Sequence, residues 1–162
     1  MITVETSSKS VGKYVDTKHA ETVIREYKHE RWVANSEKIG KEDSTSAWWS
    51  IEEIEGFLAN AKANGADGLK MYFAAYPKDF AEKPEYAGRQ TLVMVATEEV
   101  ATTEGKVNKD LYIKDGENSS VMAYNMGRLT PPWVKGGDEF TGDDWGLGMT
   151  IVDRGDKGFC II

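Results

Sequence analysis

Between Trp49 and Pro77 the chain carries a helix start, a helix stop and an alternating strand in close succession. That order constrains the fold more than any other stretch, because a helix and a strand joined by a short loop must pack back on one another. Ser50 stands at an N-cap position, and Glu53 completes a capping box: the Ser50 hydroxyl accepts from the Glu53 amide while the Glu53 side chain reaches back. Trp49 before the cap and Ile54 after it are placed as a hydrophobic staple. Ile51, Ile54, Phe57, Leu58 and Ala61 form one apolar stripe at helical spacing, and Asn64-Gly65 supplies a left-handed stop. From Leu69 to Tyr76 the period changes to two. Leu69, Met71, Phe73 and Ala75 share one face, and Lys70, Tyr72, Ala74 and Tyr76 share the other. Pro77 ends the strand.

The rest of the chain is assigned around that unit. Asp16 or Thr17 caps an earlier helix, whose stripe is Ala20, Val23, Ile24 and Tyr27 and which runs to about Val33. Residues 35–46 read as a linker or surface loop. Thr91–Thr97 is nearly all apolar, as a central strand covered on both faces would be. Leu111–Lys114, ended by Asp115-Gly116, and Val121–Tyr124 read as further short strands. Residues 1–14 are polar and read as a frayed start or a short edge strand around Ile2–Val4. From Gly105 onward lie ten of the sixteen glycines, beside Pro131-Pro132, which indicates turns and fixed loops. Trp133, Phe140, Trp145 and Ile151 persist there, so residues 105–162 are expected to pack on the core. The expectation is one domain over 1–162 of the α+β class, with two amphipathic helices packed on a mostly antiparallel sheet and a glycine-rich C-terminal third.

Composition narrows the partners. The chain has 162 residues and a net charge of −7, which disfavours nucleic acid and anionic membranes and fits a protein partner, including a basic one. No apolar run is long enough to span a bilayer, and the first residues lack the pattern of a secretory signal, so the cytoplasm is the expected location. Cys160 is the only cysteine, which excludes an intramolecular disulfide. His19 and His29, ten residues apart on one helix, point roughly 80° apart and sit about 15 Å apart along its axis, so they cannot share a metal.

Two groups of residues are candidates for function. Aromatic side chains in excess of what a core needs make Trp48, Tyr72, Tyr76 and Trp133 the expected ligand- or partner-binding platform. Trp49 has the staple position, so its neighbour Trp48 is free to face a groove. Asp138, Glu139, Asp143 and Asp144 crowd a glycine-rich loop and offer hard oxygen ligands for a divalent metal. No cofactor is expected beyond that metal.

Gly136-Gly137-Asp138-Glu139-Phe140 resembles the signature of the diguanylate cyclases. That resemblance implies metal and GTP phosphates held at a hairpin tip between two apolar strands. The flanks are Thr130-Pro131-Pro132-Trp133 and Thr141-Gly142-Asp143-Asp144; prolines cannot sit in a central strand, and the motif is read as coincidental. Trp49-Ser50-Ile51-Glu52-Glu53, Gly65 to Phe73 and Tyr124 to Pro132, in that order, resemble a loose set of small bacterial proteins of no assigned activity. That resemblance implies a bacterial α+β domain and no functional residues. The sequence therefore favours a small, acidic, non-enzymatic protein-binding or accessory module. A metal-dependent nucleotide-binding enzyme using the loop at 138–144 and a self-associating structural subunit are the alternatives.

Overall fold

The computed structural model describes residues 11–132 and, as strands, residues 151–153 and 159–161. The chain divides into two compact units, residues 32–140 and residues 1–31 with 141–162. Together they hold helices and antiparallel sheets, the α+β class expected.

The larger unit is organised on one long strand, β3 (Gln90–Thr102). Strand β2 (Gly68–Ala75) runs antiparallel to it from Gly68↔Thr97 to Ala75↔Gln90. The opposite side of β3 is shared by β4 (Gly105–Asp110) and β7 (Ala123–Tyr124), both antiparallel to it. Between those two the chain leaves the sheet as a hairpin, β5 (Tyr112–Asp115) and β6 (Asn118–Val121). Its two-residue turn starts at Gly116, whose φ of +62° with a negative φ at Glu117 is the pattern of a type II′ turn. The hairpin root is closed by three backbone hydrogen bonds: Leu111 N–H to Ala96 O, Ala96 N–H to Met122 O and Met122 N–H to Leu111 O. A separate two-stranded ribbon joins β1 (Ser46–Trp48) to β8 (Arg128–Thr130).

Helix α3 (Ile51–Ala63) covers one face of this sheet. Its capping box is formed as expected, and Gly65 at φ +90° closes its end, with Ala66 N–H on Ala61 O and Gly65 N–H on Lys62 O. Phe57 and Ala61 are buried against Met94, Ala96, Leu111, Met122 and Trp49, with Ile54, Leu69 and Leu92 at the margin. Met94 and Ala96 are fully shielded from solvent. Ile51, placed on the buried stripe by its spacing, is 76 % exposed. It is the first helical residue, and side chains tilt toward the helix N-terminus, which carries Ile51 off the end of the contact.

The N-terminal helix is longer than its apolar pattern. α1 (Thr17–Tyr27), capped by Asp16 accepting from the His19 amide, passes through a π-helical turn at Lys28–Trp32 into α2 (Val33–Ile39). The expected stop near Val33 is thus corrected: the end is at Ile39, where Gly40 takes φ +73° and Lys41 N–H returns to Ser36 O. Polar residues extend this helix because they bond the loop beyond it. The Trp32 indole donates to Asp43 O at 2.8 Å, and Ser36 Oγ accepts from Asp43 N–H at 2.9 Å. Asp43, itself buried, accepts from the Ser44 and Gln90 amides and so ties this loop to the start of β3.

Residues 151–153 and 159–161 form a short antiparallel ribbon, β9 (Ile151–Asp153) with β10 (Phe159–Ile161). Among the described residues no helix is long and apolar enough to cross a membrane.

Candidate functional site

The β1–β8 ribbon sorts its side chains by the strand period. Ala47 opposes Leu129 on the inner face, where Leu129 is wholly buried; Trp48 opposes Arg128 on the outer face. The Arg128 guanidinium carbon lies 4.1 Å from the centre of the Trp48 ring, a cation–π contact that fixes both side chains. Half of the Trp48 surface remains exposed. The next residue, Trp49, turns inward to the main core and donates its indole N–H to Asn125 O at 3.3 Å. Trp48-Trp49 therefore splits as the staple argument requires.

Trp48 and Arg128 form one side of an open cleft of about 260 Å³, completed by Trp49, Glu53, Lys83, Tyr86 and Met126. Its floor is a second small core. Tyr76 stacks on Phe80 at 4.5 Å and on Tyr86 at 5.8 Å between ring centres, and Leu129 packs beside them. The Tyr86 hydroxyl accepts from the Leu129 amide, while the Lys83 ammonium sits 5.0 Å above the Tyr86 ring. The cleft is thus edged by the half-exposed Trp48 ring and by the rim of the buried Tyr86 ring, each beside a cation.

The segment Asn125–Arg128 frames the cleft and is tightly held. Asn125 Oδ1 accepts from the Tyr76 hydroxyl at 2.9 Å, and its amide donates to Leu92 O and Thr91 Oγ1. Met126 takes φ +64°, a left-handed conformation uncommon for a side chain of this size and one that recurs at ligand clamps. Gly127 lies against the Trp49 ring so closely that a Cβ there would come within 2.6 Å of it.

Glu53 is the carboxylate of the cleft, and it is already engaged. One oxygen accepts from the Ser50 amide and hydroxyl at 3.0 Å each, the other from the Tyr124 hydroxyl at 3.2 Å. The Ser50 amide, then its hydroxyl, hold this carboxyl below its ordinary range, with Tyr124 and the Arg128 charge acting the same way and burial opposing them. A general base works best near the ambient pH, and these contacts move Glu53 in the other direction. Burial, and then the neighbouring Glu53 charge, push the Tyr124 phenol up.

Of the residues singled out in the sequence, Trp48 lines the cleft and Tyr76 lies buried beneath it as a support for Tyr86. Tyr72 belongs elsewhere. With Lys70 it grips Asp110 across β3, the phenol at 2.7 Å and the ammonium at 2.9 Å. The Lys70 hydrogen bond, followed by that of Tyr72, holds Asp110 low, while the bond to Asp110 raises the Tyr72 phenol. Trp133 and the acidic residues Asp138, Glu139, Asp143 and Asp144 lie outside the described residues. Lys83, Tyr86, Met126 and Arg128 escaped the sequence reading. Arg128 and Met126 fall in a string noted only for resemblance, and residues 78–90, rich in charge, carry no periodic pattern that would single out Lys83 or Tyr86.

Fold and site together define an antiparallel α+β protein with an aromatic, cation-bearing surface cleft. No family model, curated protein or solved structure matches the chain.

Proposed function

We propose that this chain is a small non-enzymatic protein-binding module that recognises its partner through the Trp48 cleft. The observation that carries the reading is the preset pair of rings and cations, Trp48 under Arg128 and Tyr86 under Lys83. Trp, Tyr and Arg are the residue types that dominate binding energy at protein interfaces. Rings already clamped by cations lose little freedom on binding, which raises affinity for a given contact area. At about 260 Å³ the cleft falls under the range of roughly 300–1,000 Å³ usual for small-molecule pockets. It suits one or two side chains of a partner, an apolar or aromatic group on Trp48 beside a carboxylate on Lys83 and Arg128. The net charge of −7 steers a basic partner at longer range, and a cytoplasmic location belongs to the same proposal.

The test is selection of a random peptide library on immobilised wild-type protein and on Trp48→Ala. Enrichment of a shared sequence pattern by the wild type, reduced at least tenfold in the variant, is the expected result. Trp48→Ala changes a half-exposed side chain, so its circular dichroism should match the wild type. A wild type that enriches no pattern, or a variant that enriches the same pattern equally, refutes the proposal.

A further inference from the structure

Strand β2 is an edge with unusual contents. Its eight residues pair with β3 on one side, and among the described residues no strand pairs with the other. The outer edge presents backbone donors and acceptors at alternate residues. Natural edges of this length are blunted by charge, proline or a bulge. Here Met71, Tyr72 and Phe73 stand in the middle at 53 %, 43 % and 84 % exposure. The one charged residue of the strand, Lys70, is spent on Asp110 of the same sheet, so the edge carries no free charge.

We infer that β2 pairs antiparallel with β2 of a second copy of this chain, about a two-fold axis at Tyr72. The strand is self-complementary in that register. Tyr72 meets Tyr72, Met71 meets Phe73 and Leu69 meets Ala75, all on matching faces, while Lys70 falls opposite Ala74 and no like charges are set face to face. Two four-stranded sheets would become one, and the apolar strip beside α3 would continue across the axis. Phe73 and Tyr72, 84 % and 43 % exposed, have that share of the roughly 150–250 Å² of an aromatic side chain left to lose from water. Two copies of the strip therefore bury several hundred Å² besides the main-chain bonds, below the roughly 1,200 Å² of a standard stable interface. The dimer is accordingly reversible and concentration-dependent. Two bodies of charge −7 repel, and salt screens that repulsion beyond about 8 Å at physiological strength, so added salt tightens the dimer.

Sedimentation velocity over a concentration series, at low and moderate salt, tests the inference on the full chain. The wild type should pass from monomer to dimer, with at least a threefold tighter constant at moderate salt. Phe73→Lys should sediment as monomer throughout with an unchanged far-ultraviolet spectrum. Val107→Lys, a change at an exposed residue of β4, should dimerise as the wild type does. In a Cys160→Ser background, Tyr72→Cys should cross-link to a dimer on mild oxidation, because directly opposed Cβ atoms lie within about 5 Å. A wild type that stays monomeric at its highest soluble concentration overturns the proposal. So does a dimer that survives Phe73→Lys, one that salt weakens, or one that Tyr72→Cys fails to cross-link.

Discussion

Replacing Gly127 by alanine should destabilise the protein through a single contact, and the structure gives its size. The added Cβ would lie 2.6 Å from Cε2 and Cζ2 of Trp49 and 2.9 Å from Cη2. Carbon atoms prefer about 3.5–4.0 Å, so the ring must retreat by about 1 Å. It has little room, because Trp49 is buried among Phe57, Met94 and Ala96 and its indole N–H is bonded to Asn125 O. Overpacking of this kind costs about 1–3 kcal/mol, and stretching the indole bond adds up to about 1 kcal/mol. A total near 2 kcal/mol lowers the melting temperature by roughly 4–8 °C for a chain of this length. The assay is denaturant unfolding followed by circular dichroism, arranged as a double-mutant cycle with Trp49→Phe. The clashing atoms belong to the six-membered ring of the indole, which phenylalanine does not carry so far out. The double variant should therefore be more stable than the sum of the single losses by about 1 kcal/mol or more. Gly56→Ala is the control: it lies inside α3 with no atom within 4 Å of the added Cβ, and it should stabilise by about 0.5–1 kcal/mol. Additive losses in the cycle, or a Gly127→Ala protein as stable as the wild type, would refute the reasoning.

Two further outcomes follow from the same structure. Ser50→Ala removes the cap of α3 and should cost about 0.5–2 kcal/mol in denaturant unfolding, a loss that Ser50→Thr largely avoids. Asp110, held low by Lys70 and Tyr72, stabilises the fold fully above the unfolded carboxyl value near 3.9 and loses that contribution as pH falls through its lower folded value. Unfolding curves taken down this acid window should show a shallower decline for Asp110→Asn than for the wild type.

Much of the core was legible from residues. The capping box and the Asn64-Gly65 stop are local chemistry and stand where the sequence put them, and β2 lies one residue from its expected bounds; its burial does not alternate, since Met71, Tyr72 and Phe73 are all exposed at the sheet edge. Strand β4 was not legible. Gly105 to Asp110 carries one apolar residue, Val107, and the strand is held by main-chain pairing to β3 and by Lys106 on Glu99 at 2.8 Å. The extension of the first helix to Ile39 was hidden for a related reason, since Trp32 and Ser36 bond a loop that periodicity cannot see. At the cleft, Trp48 could be singled out because its neighbour Trp49 had a prior role. Its partner Arg128 lies eighty residues away, joined through the β1–β8 register alone.

The excursion between β4 and β7 has a consequence for how the chain tolerates change. Thr97 faces Asp110 and Val95 faces Ala123, so only Ala96 separates the two pairings. One residue between Asp110 and Ala123 would have carried the strand straight past it. The detour places two side chains there, Leu111 and Met122, and both are buried in the core that α3 covers. An uninterrupted strand could offer only one of them to that spot. The sheet thus gains a thicker apolar layer from a segment whose outer part, Tyr112 to Val121, hangs from a root already closed by its own hydrogen bonds. Beyond Ile113, which still packs against the main core, the tip of the ribbon is a place where length and sequence can be exchanged, as in a graft, with the stock left intact.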